Sequence, residues 1–301
     1  MIDYYERAQG SRKLQKLPAF KSGCWINVTA PTTEELAELH ERFGLDQNLL
    51  EEGLDENELP RIDFGVGKIY LFIKTVLSEH EIGTMLIILD NHFLLTMSDK
   101  EPSVIKKIIE GKEELITTRK LKCIITILSL LNEEFEQAIT NAVKIVQKRR
   151  KATAQLREQD MGILLQQEEF LNNLRSMYFY TNLLYSKMIR KIRFVDEDKE
   201  QIEDLIVDSK QNLNLCSTSL KTLSNIRDYH AIALTNRLNK TIKILTVFTI
   251  IVSIPAAISG LYGMNVALPG EGSQYVFWYV ILVIVLLWFA FMYFIWKRRL
   301  V

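Results

Sequence analysis

Residues 244–262 read ILTVFTIIVSIPAAISGLY and residues 276–296 read VFWYVILVIVLLWFAFMYFIW. Whether these are membrane spans or buried core helices sets the architecture of everything upstream. The first run has 19 residues and the second 21 without a charged side chain. Each is close to the roughly 20 that a helix needs to cross a hydrocarbon core. A core helix of a soluble protein is rarely apolar all round, yet the second run carries nothing more polar than Tyr and the Trp indoles. Two membrane spans are predicted.

The flanking charges orient them. Arg237, Lys240 and Lys243 precede the first run and Lys297, Arg298 and Arg299 follow the second, whereas the connecting residues 263–275 contain no Lys or Arg. Basic flanks stay on the cytoplasmic side. Both termini are therefore expected in the cytoplasm and the loop outside, in a multi-pass protein of the cell membrane. The opening MIDYYERAQGSRK has no apolar stretch of the kind a signal peptide needs, which points the same way.

Lys and Arg balance Asp and Glu at 37 each, so no basic field marks a nucleic-acid partner. Cysteines 24, 123 and 216 and histidines 40, 80, 92 and 230 show no metal-ligand spacing or disulfide framework. No thiol catalysis, enzyme chemistry or organic cofactor is indicated.

Upstream, CWINV (24–28), GKIYLFIKTVL (67–77), TMLIILD (84–90) and HFLLTM (92–97) are apolar runs rich in β-branched and aromatic residues and read as strands. Pro31-Thr-Thr-Glu-Glu opens a helix through Leu36, Leu39 and Phe43, with Gly44 as its stop. Asp90-Asn-His reads as a hairpin turn, and Pro102 suits the first turn of a second helix ended by Gly111. From residue 112 to 254 Gly162 is the single Gly or Pro, and Ile206, Leu213, Leu220 and Leu234 recur at multiples of seven. That is long-helix texture, with breaks expected near Gly162 and over residues 193–200.

Five segments follow: a cytoplasmic α/β domain over 1–111, a long-helix hairpin over 112–195, a stalk helix continuing into the first span over 196–262, the outer loop over 263–275, and the second span with its basic tail over 276–301. An unbroken helix over 196–262 would measure on the order of 100 Å at 1.5 Å per residue. The fold class is an α/β domain on a long-helix stalk with two C-terminal transmembrane helices.

Two spans cannot enclose an aqueous path, so conduction would require several subunits. In the first span Asn239, Thr246, Ser253 and Gly260 lie seven apart, and Ile242, Thr249, Ala256 and Gly263 form the adjacent row. Seven-residue spacing returns to nearly the same face, so this stripe of small, mildly polar side chains suits a pore lining. Close helix packing through Ser253, Ala256, Ala257 and Gly260 is the other reading. No carboxylate lies between Asp228 and Glu271. The stripe would therefore hold a hydrated cation through its water, with Ile242 as a hydrophobic constriction. Thr235 and Asp228 continue it inward, where copies of Asp228 would form an acidic inner mouth or remain solvated helix charges. Pro255 should free a carbonyl one turn earlier, toward Ile251.

Tyr262-Gly263-Met264-Asn265 at the end of the first of two C-terminal spans resembles the signature of the CorA family of divalent cation transporters. CWIN at 24–27, LLEEGLDENELPRIDF at 49–64, NRLNKTIKILT at 236–246 and the basic tail resemble it too. The resemblance implies a funnel-shaped homopentamer embedded in the lipid bilayer. Its implied activity is passive, potential-driven influx of Mg²⁺, with Co²⁺ or Ni²⁺ also accepted. The Gly-Met-Asn ring would bind the hydrated ion at the outer entrance, Gly263 and Asn265 supplying oxygens and Met264 holding the turn.

It also implies closure by intracellular Mg²⁺ at acidic sites between subunits, which by position are Glu51, Glu52 and Asp204. Asp196, Glu197, Asp198, Glu200, Glu203 and Asp204 crowd the start of the stalk with Lys199 as the one basic residue among them. They suit either a cation sensor or the N-terminus of a helix. A zinc or other transition-metal transporter of the same superfamily is a second functional reading, and a membrane-anchored coiled-coil scaffold a third.

Overall fold

The computed structural model describes residues 1–7, 14–78, 81–112, 115–151, 158–264 and 272–297. They fall into two compact units, Met1–Asn225 and Ile226–Val301.

In the first unit, seven strands among the described residues form one sheet: β1 (Ile2–Glu6), β2 (Gln15–Leu17), β3 (Trp25–Thr29), β4 (Arg61–Phe64), β5 (Ile69–Val76), β6 (Ile82–Leu89) and β7 (Leu94–Ser98). Their order is β2-β1-β3-β7-β6-β5-β4. Neighbours are antiparallel except β3 and β7, which run parallel with Trp25 opposite Leu94 and Val28 opposite Met97. Asp90 N donates to Phe93 O at 3.1 Å in the β6–β7 turn, the hairpin expected there.

Alternate side chains of a strand enter different cores. On β6, Met85 and Ile87 join one cluster while Leu86 and Ile88 join the other. The second cluster holds Leu36 and Leu39 of α1 (Thr33–Phe43) and Leu50 of α2 (Gln47–Glu52). The first holds Val104 and Ile108 of α3 (Ser103–Ile109), Ile124 and Leu128 of α4 (Lys120–Lys151), Leu184 and Met188 of α5 (Glu158–Lys191), and Ile202 of α6 (Asp196–Tyr262). A sheet covered on both faces needs continuous apolar strands rather than alternating ones, which is why β5, β6 and β7 stand out in the sequence. Each fully buried large side chain, such as Phe72 or Leu86, contributes about 1.5–3 kcal/mol.

Helix α1 has the ends its sequence prescribes. Glu35 N donates to Thr32 Oγ1 at 3.3 Å and Thr32 N donates to Glu35 Oε2 at 2.9 Å, a reciprocal capping box. Gly44 closes the helix in the left-handed region at φ 61°. The break expected near Gly162 lies between Lys151, where α4 ends, and Glu158, where α5 begins; Gly162 itself lies inside α5 and faces open space, at a cost of about 1 kcal/mol. One helix start departs from expectation. Pro102 is the N-cap of α3 and not part of its first turn. Strands β1, β2 and β4 and helix α2 are short and carry little periodicity to read.

The buried row of α6 in this unit is Ile202, Leu205, Ser209, Asn212, Cys216, Ser219 and Leu223. It steps by three and four residues, as a core-facing stripe must. Ile206, Leu213 and Leu220, the apolar residues that recur at multiples of seven, are half-buried beside it. Of the polar residues in the buried row, Asn212 has a side-chain partner, its Nδ2 donating to Tyr178 Oη at 3.2 Å, whereas the buried Ser209 Oγ has none among the described residues.

The second unit contains α6 from Ile226 onward and α7 (Val276–Lys297). Helix α6 includes a strongly apolar 18-residue window, none of it buried, long enough to cross a membrane. The described apolar part of α7 is Val276–Phe291.

Candidate functional site

Asn239, Ile242, Thr246, Thr249, Ser253, Ala256 and Gly260 are all exposed on α6. The half-buried positions of the same stretch are Val247, Ile251, Ile254, Pro255 and Ile258. Those of α7 among the described side chains are Val276, Val280, Val283, Ile284 and Phe291. Both sets have helical spacing, and a hydrogen bond links the two helices: Trp288 Nε1 donates to Ile251 O at 3.0 Å. One face of α6 is thus turned to α7, and the candidate lining occupies the remaining surface. The carbonyl that Pro255 frees is satisfied by α7 of the same chain.

The hydroxyls of the stripe are oriented by their own helix. Thr246 Oγ1 donates to Ile242 O at 2.8 Å, Thr249 Oγ1 to Leu245 O at 2.9 Å and Ser253 Oγ to Thr249 O at 2.7 Å. Thr235 Oγ1 does the same to Ala231 O at 3.0 Å. With its proton committed to the backbone, each hydroxyl presents acceptor lone pairs outward. Water bound to a cation donates hydrogen bonds, so this stripe matches a hydrated cation in chemistry.

At the C-terminal end of α6, Gly263 N donates to Ser259 O at 2.9 Å and Met264 N to Leu261 O at 3.4 Å. A Cβ on Gly263 would lie 3.2 Å from the Ser259 carbonyl oxygen. Glycine here permits a close backbone approach that terminates α6. Met264 is 55% exposed. Asn265 and Glu271 lie outside the described residues. At the other end Asp228 is exposed.

The acids of the first unit are differently placed. Asp46 caps α2 by accepting from Asn48 N at 3.0 Å. Glu51 Oε1 accepts from Gln47 Nε2 at 3.0 Å. Glu52 is ion-paired with Arg61, whose guanidinium also holds Glu58 and, at 2.7 Å, Asp63 Oδ2. Arg61 lies 4.0 Å over the Phe72 ring. Burial works against its charge, but the hydrogen bonds to Asp63 and Glu58 outweigh that and raise its pKa. A cation arriving at Glu52 would therefore meet the Arg61 guanidinium already on one of its two carboxylate oxygens. This arginine stands in the stretch LPRIDF, and only its pairing with an acid nine residues earlier marks it.

Asp204 is exposed and lines a cleft of about 550 Å³ with Glu133, Glu136, Asp208, Lys122 and Gln201. Neither Glu51 nor Glu52 lines that cleft. Lys122 Nζ donates to Gln201 Oε1 at 2.8 Å and approaches Glu197 at 3.6 Å and Asp198 at 3.5 Å. The stalk acids thus have a basic neighbour from α4 that their own stretch does not reveal. Among the described residues no group of three or more His, Cys, Asp or Glu of the single chain is disposed to hold a metal ion. Oxygen donors such as Asp204 fit a hard divalent cation, whereas Glu52 has one of its oxygens paired with Arg61. Cys24, Cys123 and Cys216 are free and buried. Burial pushes the Cys123 and Cys216 thiols up to about 12, which keeps them protonated and unreactive.

Known proteins resemble this chain over nearly its whole length. The family model described as CorA-like Mg²⁺ transporter protein matches residues 20–299. The cobalt/magnesium transport protein CorA of Methanocaldococcus jannaschii is 29% identical over 286 residues, covering 89% of this chain and 88% of that protein. The complete structure of the CorA magnesium transporter from M. jannaschii matches with a TM-score of 0.84 at 24% identity, over 98% of this chain and 96% of that one. The full-length CmaX protein matches with a TM-score of 0.73 at 18% identity, over 99% and 96%. The N-terminal α/β unit, the long helix and the C-terminal apolar helix are shared architecture, and the chain belongs to the family of CorA-like Mg²⁺ transporters.

Proposed function

We propose that this chain assembles as a homopentamer in the cell membrane, both termini cytoplasmic, and conducts hydrated Mg²⁺ inward along the α6 stripe. Co²⁺ is a further substrate, in keeping with the activity named for the M. jannaschii relative. The observation that carries this reading is the exposed stripe of Asn239, Thr246, Thr249 and Ser253, in which the three hydroxyls turn acceptor lone pairs outward on the part of α6 that α7 leaves uncovered. Neutral acceptors hold an ion through its water and do not strip it, as reluctantly dehydrating Mg²⁺ requires. An inside-negative potential supplies about 4.6 kcal/mol per dication for each 100 mV, twice the value for one charge.

Gly263, Met264 and Asn265 form the outer filter in this proposal, Ile242 the hydrophobic constriction and Asp228 the inner mouth. Asp204, with Glu51 and Glu52 of a neighbouring subunit, binds intracellular Mg²⁺ and favours the closed state. The Arg61 contact tunes that response, because Mg²⁺ competes with a guanidinium for Glu52.

The test is uptake of Mg²⁺ into liposomes under an imposed inside-negative potential, with internal Mg²⁺ varied. Asn265→Ala should lower uptake about tenfold or more while the protein remains assembled, a loss of at least roughly 1.4 kcal/mol of ion stabilisation. Unchanged uptake would remove Asn265 from the filter, and uptake indifferent to internal Mg²⁺ would remove the sensor.

A further inference from the structure

Pro255 lies inside α6 and has no backbone N–H, so the bond that residue 255 would normally give Ile251 O is missing. In hydrocarbon an unpaired carbonyl is costly, because no water is present to satisfy it. The group that arrives instead is the Trp288 indole, Nε1 to Ile251 O at 3.0 Å. Indole is a donor only, and removed from water it needs an acceptor as much as the carbonyl needs a donor. The two deficits cancel.

The position of Trp288 supports the assignment. Tryptophans of a span gather at its two interfaces, and Trp278 and Trp296 stand near the two ends of α7. Trp288 stands mid-helix, where the interfacial preference gives no reason for it. Its partner carbonyl belongs to the half-buried row Val247, Ile251, Ile254, Pro255 and Ile258, distinct from the row of Thr246, Ser253 and Gly260.

We propose that Trp288 is a positioning residue for the conduction helix. Its N–H replaces the one Pro255 lacks, ties the weakest turn of α6 to α7, and so fixes the rotation that turns the hydroxyl stripe away from α7. The proposal rests on the transport reading only for its effect on flux; the hydrogen bond itself is testable without transport.

The test is a double-mutant cycle on the full-length assembled protein, with Trp288→Phe, Pro255→Ala and the pair together, read by amide hydrogen exchange over residues 252–262. In the native background Trp288→Phe should speed exchange there by about threefold to tenfold, the scale of one interhelical hydrogen bond in a membrane. In the Pro255→Ala background residue 255 supplies the N–H itself, so adding Trp288→Phe should have no effect. A pure packing role for the ring predicts the same acceleration in both backgrounds. That result, or no acceleration in the native background, would overturn the proposal.

If Trp288→Phe does not assemble, the double variant should, and its failure would count equally against the idea. In liposomes Trp288→Phe should cut Mg²⁺ uptake severalfold while Trp278→Phe leaves it intact. Undiminished uptake in Trp288→Phe overturns the positioning role. Absence of uptake by the native protein would instead refute the transport reading, with the exchange cycle still readable.

Discussion

Thr96 shows at the level of one residue why a motif in the chain needs a distant partner. Trp25 Nε1 donates to Thr96 Oγ1 at 2.9 Å, and the Thr96 hydroxyl donates to Asn27 Oδ1 at 2.9 Å. All three are buried. The stretch CWIN reads as a strand and as a family resemblance, but the hydroxyl that satisfies its Trp and Asn is 69 residues from Asn27. Thr96→Val keeps the shape and strands both partners. At about 1–3 kcal/mol for each buried group left unpaired, the first unit should lose at least about 2 kcal/mol. Thr96→Ser keeps the hydroxyl and should lose less. Urea unfolding of the two variants checks this, and equal losses would mean that the network adds nothing beyond packing.

Among the elements, α2 was hidden and α6 was half-visible. Helix α2 has six residues with Leu50 as its buried one, too few for a period to emerge. Its end is dictated by the sheet beneath: a Cβ on Gly53 would meet Leu86 Cβ and Cδ2 at 2.8 Å and Met97 Cε at 3.2 Å. Both neighbours are fully buried. Gly53→Ala should therefore destabilise by about 1–3 kcal/mol, the usual penalty of overpacking. Gly162→Ala, where a Cβ meets nothing within 4 Å, should stabilise α5 by up to about 1 kcal/mol. Thermal or urea unfolding distinguishes opposite signs, and a neutral Gly53→Ala would show that the sheet yields. In α6 the seven-residue period marked a long helix, and the contacts decided which row is buried. The apolar row Ile206, Leu213 and Leu220 lies one residue from the buried Leu205, Asn212 and Ser219. Asn212 can sit in the buried row because Tyr178, a partner the stretch itself does not contain, satisfies it.

At the level of the molecule, Met1–Asn225 closes two cores on one sheet, while the unit from Ile226 onward leaves Phe248, Val252, Phe277, Trp278 and Phe289 exposed. A fragment of residues 1–225 is expected to be soluble and to unfold cooperatively, since its buried clusters are supplied from within it. The complementary fragment should require detergent or lipid, because so much contiguous apolar surface does not stay in water. Circular dichroism melting of the first fragment checks the claim. A broad, non-cooperative transition would mean that the first unit depends on the second.

Hydropathy, charge and periodicity are properties of neighbours along the chain, and they sufficed for the two apolar runs, the strands β5 to β7, the two ends of α1 and the small polar stripe of α6. They also carried the Gly-Met-Asn resemblance. Contacts between residues far apart in the chain had no local trace. Glu52 is held by Arg61, the stalk acids by Lys122, and the carbonyl freed by Pro255 by Trp288. Pro255 announced a missing donor from its covalent structure alone. Which group would replace it, and therefore which face of α6 is turned to α7, depended on two helices being brought together.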